Sequence, residues 1–134
     1  MHFPELNYLA VLVSAVAYFM LGAVWYTALG KTWMRLVGKT EEELRQRSPA
    51  VPYTVTFLTI LITALVMAYV LKFMTDGTFW HGLQVALLMW LGFGVGTAAK
   101  HYAFAGKAPL LFLMDACYDL LGYMMTAIIL NVWK

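Results

Sequence analysis

Four long stretches of the chain carry almost no charge, and this pattern restricts what the chain can fold into. Three of them contain no Asp, Glu, Lys or Arg, and the fourth contains two aspartates: residues 6–30, 48–71, 77–99 and 108–133. An α-helix rises about 1.5 Å per residue, so about 20 residues cross the roughly 30 Å hydrocarbon core of a bilayer. The sequence therefore predicts four transmembrane helices, near residues 6–29, 50–73, 79–103 and 109–132.

The composition excludes an ordinary soluble domain. Apolar residues make up 63% of the 134 residues and charged residues 12%, whereas soluble domains have about 45–50% and about 25%. We expect an all-α membrane protein in which residues 1–134 form a single domain and the four helices form an up-down bundle. The lipid bilayer is the expected partner, and a net charge of +2 gives no indication of nucleic-acid binding.

Lys and Arg are distributed unevenly between the connections. The connections 30–49 and 100–108 hold seven of the nine, and Lys72 and Lys134 lie on the opposite side. Short cytoplasmic loops are enriched in Lys and Arg, so both connections are expected in the cytoplasm and both termini in the periplasm. The expected location is a bacterial inner membrane, crossed four times.

The 30–49 connection is expected to contain a short cytoplasmic helix. Residues 40–43, Thr-Glu-Glu-Glu, form a capping-box pattern in which the Thr40 hydroxyl accepts a hydrogen bond from the amide of Glu43. This polar helix is expected to run to about Arg47, with Pro49 opening the second membrane helix. The preceding residues mix apolar side chains with Lys and Arg. They form either an amphipathic segment at the headgroups or a continuation of the first helix.

Asp115 and Asp119 point most directly to function. Spaced i, i+4, they share one face of the fourth helix with Tyr118. Counted from Pro109, they lie about 9 Å and about 15 Å along that helix. A carboxylate in mid-bilayer costs about 2.5–3.5 kcal/mol, so it requires a partner or a function. We predict a proton, ion or small-solute site here.

A structural interpretation of the same aspartates is also open. Asp119 would then hydrogen-bond to Thr59, Thr63 or a tyrosine of a neighbouring helix and hold helices together. Asp115 would form a salt bridge with Lys100 at the end of the third helix.

A second polar cluster is predicted near the cytoplasmic end of the third helix. Lys100 and His101, with Tyr102 beside them, could meet Tyr26 and Asp115 in an inward-facing pocket. In the alternative, the Lys100 side chain simply extends to the lipid headgroups.

Two glycines four residues apart, Gly92 and Gly96, form a GxxxG pair in an apolar helix. Such pairs let helix backbones approach closely, within or between subunits. Gly22 is a further candidate for helix packing. These glycines favour a homo-oligomer, because four helices alone enclose little interior.

No cofactor or metal is expected. His81 and His101 lie at opposite ends of one helix, and Cys117 is the single cysteine. The sequence has no Ser-His-Asp set, no HExxH and no P-loop, which favours a non-enzymatic class. A membrane enzyme or lipid-binding protein acting at the level of Trp25, Tyr26 and His101 is kept as a third hypothesis.

Several short runs resemble one known family over essentially the whole chain. These runs are GAVWYT at 22–27, GKTWM at 30–34, YAFAGK at 102–107 and LFLMDACY at 111–118. They resemble the bacterial membrane family catalogued as domain of unknown function 1761. The resemblance implies a small four-helix membrane protein and brings no established activity. The family pattern has His at the position of Asp119, so the resemblance favours Asp115, Tyr118, Trp25 and Tyr26 as shared residues.

Two functions fit these observations. The first is a small-solute or ion channel or carrier, in one form proton-linked, that works as a homo-oligomer. The alternative is an accessory or scaffold membrane protein whose polar residues only fix helix packing. The candidate binding residues are Asp115, Asp119, Tyr118, Lys100, His101, Trp25 and Tyr26.

Overall fold

The computed structural model describes residues 5–74 and 77–133, and this part of the chain is helical with no strands. In chain order the helices are α1 Tyr8–Ala28, α2 Gly30–Val37, α3 Glu41–Arg45, α4 Ala50–Met74, α5 Phe79–Ala105 and α6 Pro109–Val132. Four of them, α1, α4, α5 and α6, are long and apolar enough to cross a membrane. Their ends lie within two residues of the predicted bounds, which confirms the four predicted segments.

Local signals in the sequence explain where several helices begin. The Asn7 side chain accepts a hydrogen bond from the amide of Ala10 (3.1 Å) and so caps α1. Helix α6 starts at Pro109, where the missing amide proton costs no helical hydrogen bond. Helix α4 starts at Ala50, directly after Pro49.

The connection between α1 and α4 contains two short helices. Only Leu29 separates α1 from α2, and α2 ends at Gly38 in a left-handed conformation (φ 79°). The predicted cap of α3 is confirmed, because the Thr40 hydroxyl accepts from the amide of Glu43 at 3.2 Å. Helix α3 ends at Arg45, short of the predicted Arg47, and the Pro at 49 disfavours helical backbone just before it.

Helix α6 is the centre of the packing, since it contacts α1, α4 and α5. One buried cluster joins α1, α4 and α6, and a second joins α4, α5 and α6. Small side chains are prominent in both, which lets the helices approach closely. The buried alanines of the two clusters are Ala15, Ala64, Ala68, Ala86 and Ala127.

The glycines at helix contacts are mostly not the ones in the GxxxG pair. A Cβ atom on Gly92 would meet nothing within 4 Å, and one on Gly96 would meet only the carbonyl of Leu91 in its own helix. Both therefore face away from the other helices that the structure describes. By contrast, a Cβ on Gly122 would collide with the Tyr18 ring, and one on Gly22 would lie 2.7 Å from the Tyr118 hydroxyl.

The same region of α5 departs from regular α-helix. Residues Trp90–Val95 form a π-helical segment that contains Gly92, and such segments insert a wider turn into a helix. The Trp90 indole N–H donates to the carbonyl of Ala116 on α6 (2.9 Å). This hydrogen bond attaches the π-helical segment to α6 next to Asp115.

Candidate functional site

Asp115 is held by tyrosines from two other helices. Its Oδ1 atom accepts a hydrogen bond from the Tyr26 hydroxyl of α1, and its Oδ2 atom accepts one from the Tyr102 hydroxyl of α5. Both carboxyl oxygens therefore have a donor. We call Asp115, Tyr26 and Tyr102 the Asp115 cage.

The cage forms because the last turns of α1 and α5 lie beside the first turns of α6. Tyr26 belongs to the last turn of α1, and its ring packs edge-on against Tyr118 with the centroids 5.3 Å apart. Tyr102 packs against Phe112 in the same way at 5.5 Å. These aromatic contacts orient both hydroxyls toward Asp115.

The Lys107 ammonium adds a further contact at this end. It lies 5.1 Å from the centre of the Tyr102 ring, within the range of a cation–π interaction. Lys107 thus supports a tyrosine of the cage without contacting the carboxylate.

Asp119, one turn further along α6, has a different environment. Its Oδ1 atom accepts from the Tyr18 hydroxyl at 2.5 Å, and its Oδ2 atom has no donor among the described residues. The Tyr118 hydroxyl donates to the backbone carbonyl of Tyr18 at 3.1 Å. The two tyrosines thereby fix each other, with their rings 5.2 Å apart at 79°.

This geometry decides between the partners considered for Asp119. A tyrosine of a neighbouring helix is the partner, as one of the structural alternatives predicted. Thr59 and Thr63 do not donate to it, because their hydroxyls donate to carbonyls one turn back in α4, at 2.7 and 2.9 Å.

Asp119 lines a cleft of about 300 Å³ between α1, α4 and α6, which we call the Asp119 cleft. Thr59 is exposed, so the cleft is open on the α4 side. Its lining is Tyr18, Val55, Thr56, Thr59, Ile60, Thr63, Tyr118, Asp119 and Tyr123.

Among the described residues, Lys100 and His101 form no ion pair or side-chain hydrogen bond with either aspartate. Both are exposed, and the one ion pair within residues 5–74 and 77–133 is Arg45 with Glu41 at 2.6 Å. The predicted salt bridge between Lys100 and Asp115 is therefore wrong. Tyrosine hydroxyls from two helices already occupy both oxygens of that carboxyl group.

Trp25 is half-buried beside the site. Its indole N–H is buried and has no hydrogen-bond acceptor among the described residues. Trp25 therefore packs against the core of α1, α4 and α6 without a polar contact in this structure.

The sequence pattern predicted Tyr26, Tyr118 and the two aspartates in this region, but it did not predict Tyr18. A signal was present: Tyr18 and Tyr26 are eight residues apart, so they share one face of α1. A helix with two phenols on one face complements a helix with two carboxyls on one face.

The chain thus has the make-up of a small multi-pass membrane protein, with four apolar helices long enough to cross a bilayer and two aspartates hydrogen-bonded to tyrosines between them. It belongs to the family described as "Protein of unknown function (DUF1761)", which matches residues 9–131. The match confirms the resemblance inferred from the sequence motifs. No curated protein and no solved structure matches the chain.

Proposed function

We propose that the protein is a proton-linked channel or carrier for a small solute or ion, with the Asp119 cleft as its polar site. The observation that carries this proposal is the Oδ2 atom of Asp119, which has no hydrogen-bond donor among the described residues, in a side chain that lines a cleft. A carboxyl group about 15 Å along an apolar helix carries a free-energy cost in the membrane, which is typical of a residue with a function.

The proposal places the protein in a bacterial inner membrane as one domain with an up-down arrangement and periplasmic termini. Two contacts support the arrangement. The Asn7 side chain donates to the carbonyl of Trp133 (3.2 Å), and the Lys72 ammonium donates to the carbonyl of Glu5 (2.7 Å). The start of α1 therefore lies beside the end of α4 and the end of α6. Lys134, counted on this side, lies outside the described residues.

The cytoplasmic side would carry the basic connections and an amphipathic α2. Lys31 and Arg35 on α2 are exposed, whereas Trp33, Met34 and Leu36 are half-buried. That division suits a helix at the headgroup level, with cations toward anionic lipid and apolar side chains inward.

The homo-oligomer of the proposal would form through α5. A smaller share of α5 is buried than of α1, α4 or α6. Its exposed face presents bare backbone at Gly92 beside the apolar side chains of Leu91 and Phe93. A surface of this kind suits the close approach of a second copy in lipid.

The test is ion flux into proteoliposomes that contain the purified protein and a trapped pH-sensitive dye. An outward potassium gradient with valinomycin drives proton entry, and a potassium-sensitive dye follows potassium entry in a parallel set without valinomycin. Asp119→Asn should lower the flux about thirtyfold or more, because it removes the charge that stabilises the passing cation. Asp115→Asn is the matched comparison and should lower it less. Flux equal to that of empty liposomes would contradict the proposal.

The scaffold alternative is favoured by one observation, the Asp115 cage. A carboxyl group whose two oxygens both accept from tyrosines of other helices is suited to holding α1, α5 and α6 in register. A scaffold would show no flux of either ion, while loss of Asp115 would still lower the unfolding temperature.

A further inference from the structure

Most of the hydroxyl groups around the Asp119 cleft donate hydrogen bonds to acceptors within the protein. The cleft is lined by six hydroxyl-bearing residues, and four of them donate elsewhere: Tyr18 to Asp119, Tyr118 to the Tyr18 carbonyl, Thr59 to the Val55 carbonyl and Thr63 to the Thr59 carbonyl. A hydroxyl group that donates its proton keeps its lone pairs, so these oxygens remain as acceptors.

The charge of the cleft also favours a ligand that donates hydrogen bonds. Among the described residues, its lining contains one carboxyl group, Asp119, and no Lys, Arg or His. The Oδ2 atom of Asp119 is a further acceptor without a donor from the described residues. A carboxylate held away from water requires a positive partner, and the cleft itself supplies none.

Aromatic rings complete the lining. Tyr18 lies edge-on to Tyr118 and to Tyr123, at 5.2 and 6.4 Å between centroids. Tyrosine faces attract cations that come within about 6 Å of the ring centre. The cleft therefore combines a carboxylate, acceptor oxygens and aromatic rings.

We propose that the Asp119 cleft binds a small protonated amine, an inference that rests on the proposed function and names its substrate class. The ammonium N–H groups would donate to Asp119 and to the oxygens of Thr59 and Thr63. A bare anion or a neutral acceptor has no N–H group to donate to these oxygens. A volume of about 300 Å³ lies at the lower end of ligand sites, which suits an amine of few heavy atoms.

Calorimetric titration of the protein in lipid nanodiscs with methylammonium chloride tests this inference. Three probes separate the contributions: tetramethylammonium has the charge without N–H donors, acetamide has donors without the charge, and sodium has neither donors nor carbon. We expect methylammonium to bind at least about tenfold more tightly than each of them, a difference of about 1.4 kcal/mol.

Two variants locate the binding. Asp119→Asn should weaken methylammonium binding about thirtyfold or more, and the double variant Thr59→Val, Thr63→Val should weaken it about tenfold. Thr126→Val is the matched control, because Thr126 also donates to a carbonyl one turn back (Gly122, 2.8 Å) but does not line the cleft. It should bind methylammonium as the unmodified protein does. The threonine pair keeps the test decisive if Asp119→Asn fails to fold.

Three results would overturn the inference: no methylammonium binding by the folded protein, equal binding by Asp119→Asn, or equally tight binding of tetramethylammonium or sodium. The flux experiment is read separately. Proton or potassium flux that needs Asp119, without methylammonium binding, keeps the proposed function and overturns the amine. Methylammonium binding through Asp119, with proton and potassium flux no greater than that of empty liposomes, keeps the amine site and overturns the carrier.

Discussion

Asp115 and Asp119 lie one turn apart on the same face of α6, yet they meet different surroundings. Asp115 accepts hydrogen bonds at both oxygens, from tyrosines on two helices, whereas Asp119 accepts one from the described residues and lines a cleft. The residue type and the helix are the same, so the neighbouring helices make the difference. Under the proposed function, Asp115 holds helices together through its two occupied oxygens, whereas Asp119 has an oxygen without a donor among the described residues that is available for binding.

The side chains that face each aspartate explain this difference. At Asp115, α1 and α5 both end close to α6, and each contributes a long phenol that reaches the carboxyl group. At Asp119, α4 contributes threonines, whose short side chains leave space and donate to their own helix. Threonine commonly makes such hydrogen bonds to the previous turn of a helix.

The largest expected effect compares the loss of each carboxyl group. Asp115→Ala leaves two tyrosine hydroxyls without their acceptor and should lower the free energy of unfolding by about 2–4 kcal/mol. Asp119→Ala removes one hydrogen bond and should cost about 1 kcal/mol. Reversible unfolding in mixed micelles with increasing dodecyl sulfate measures both. An equal loss, or a larger one for Asp119→Ala, would remove the distinction between cage and cleft.

An effect smaller than that of Asp115→Ala is expected when a tyrosine is changed instead. Tyr18→Phe removes the only donor to Asp119 among the described residues, and we expect a loss of about 1.5 kcal/mol. After Tyr26→Phe, Asp115 still accepts from Tyr102, so the loss should be close to the average for a hydrogen bond in membranes, about 0.6 kcal/mol. The same unfolding assay compares the pair. The opposite order would show that Asp115 depends on Tyr26 alone.

The smallest effect is expected at Lys100. This side chain is exposed and forms no ion pair with Asp115, so Lys100→Gln should change the unfolding free energy by less than about 0.5 kcal/mol. A loss of about 2 kcal/mol that disappears in an Asp115→Asn background would instead indicate a salt bridge between the two residues.

The four long helices could be predicted because the bilayer determines where charged residues occur along the chain. The positions of charges along the chain alone locate α1, α4, α5 and α6 to within two residues, and the Thr40 cap is a local signal of the same kind. No contact between distant residues is needed for either prediction.

The site was predictable only in part, because its partners come from different helices. The i, i+4 spacing identified the two aspartates, but not that phenols rather than Lys100 would reach Asp115. Gly92 and Gly96 form a recognisable motif, yet a Cβ atom on either would meet no other helix among the described residues, whereas a Cβ atom on Gly122 would collide with Tyr18, a contact that no motif indicates. A single glycine opposite a large side chain leaves no signal in either segment alone.

Labelling of the carboxyl groups tests the difference between cage and cleft most directly. Membranes containing the protein would be treated with dicyclohexylcarbodiimide, whose central carbon is attacked by accessible carboxyl groups in apolar surroundings, and the adducts would be assigned to Asp115 or Asp119 by fragment mass spectrometry. The open cleft predicts an adduct on Asp119 and little on Asp115, whose oxygens are both occupied by tyrosines. Labelling of Asp115 to the same or a greater extent would contradict this account.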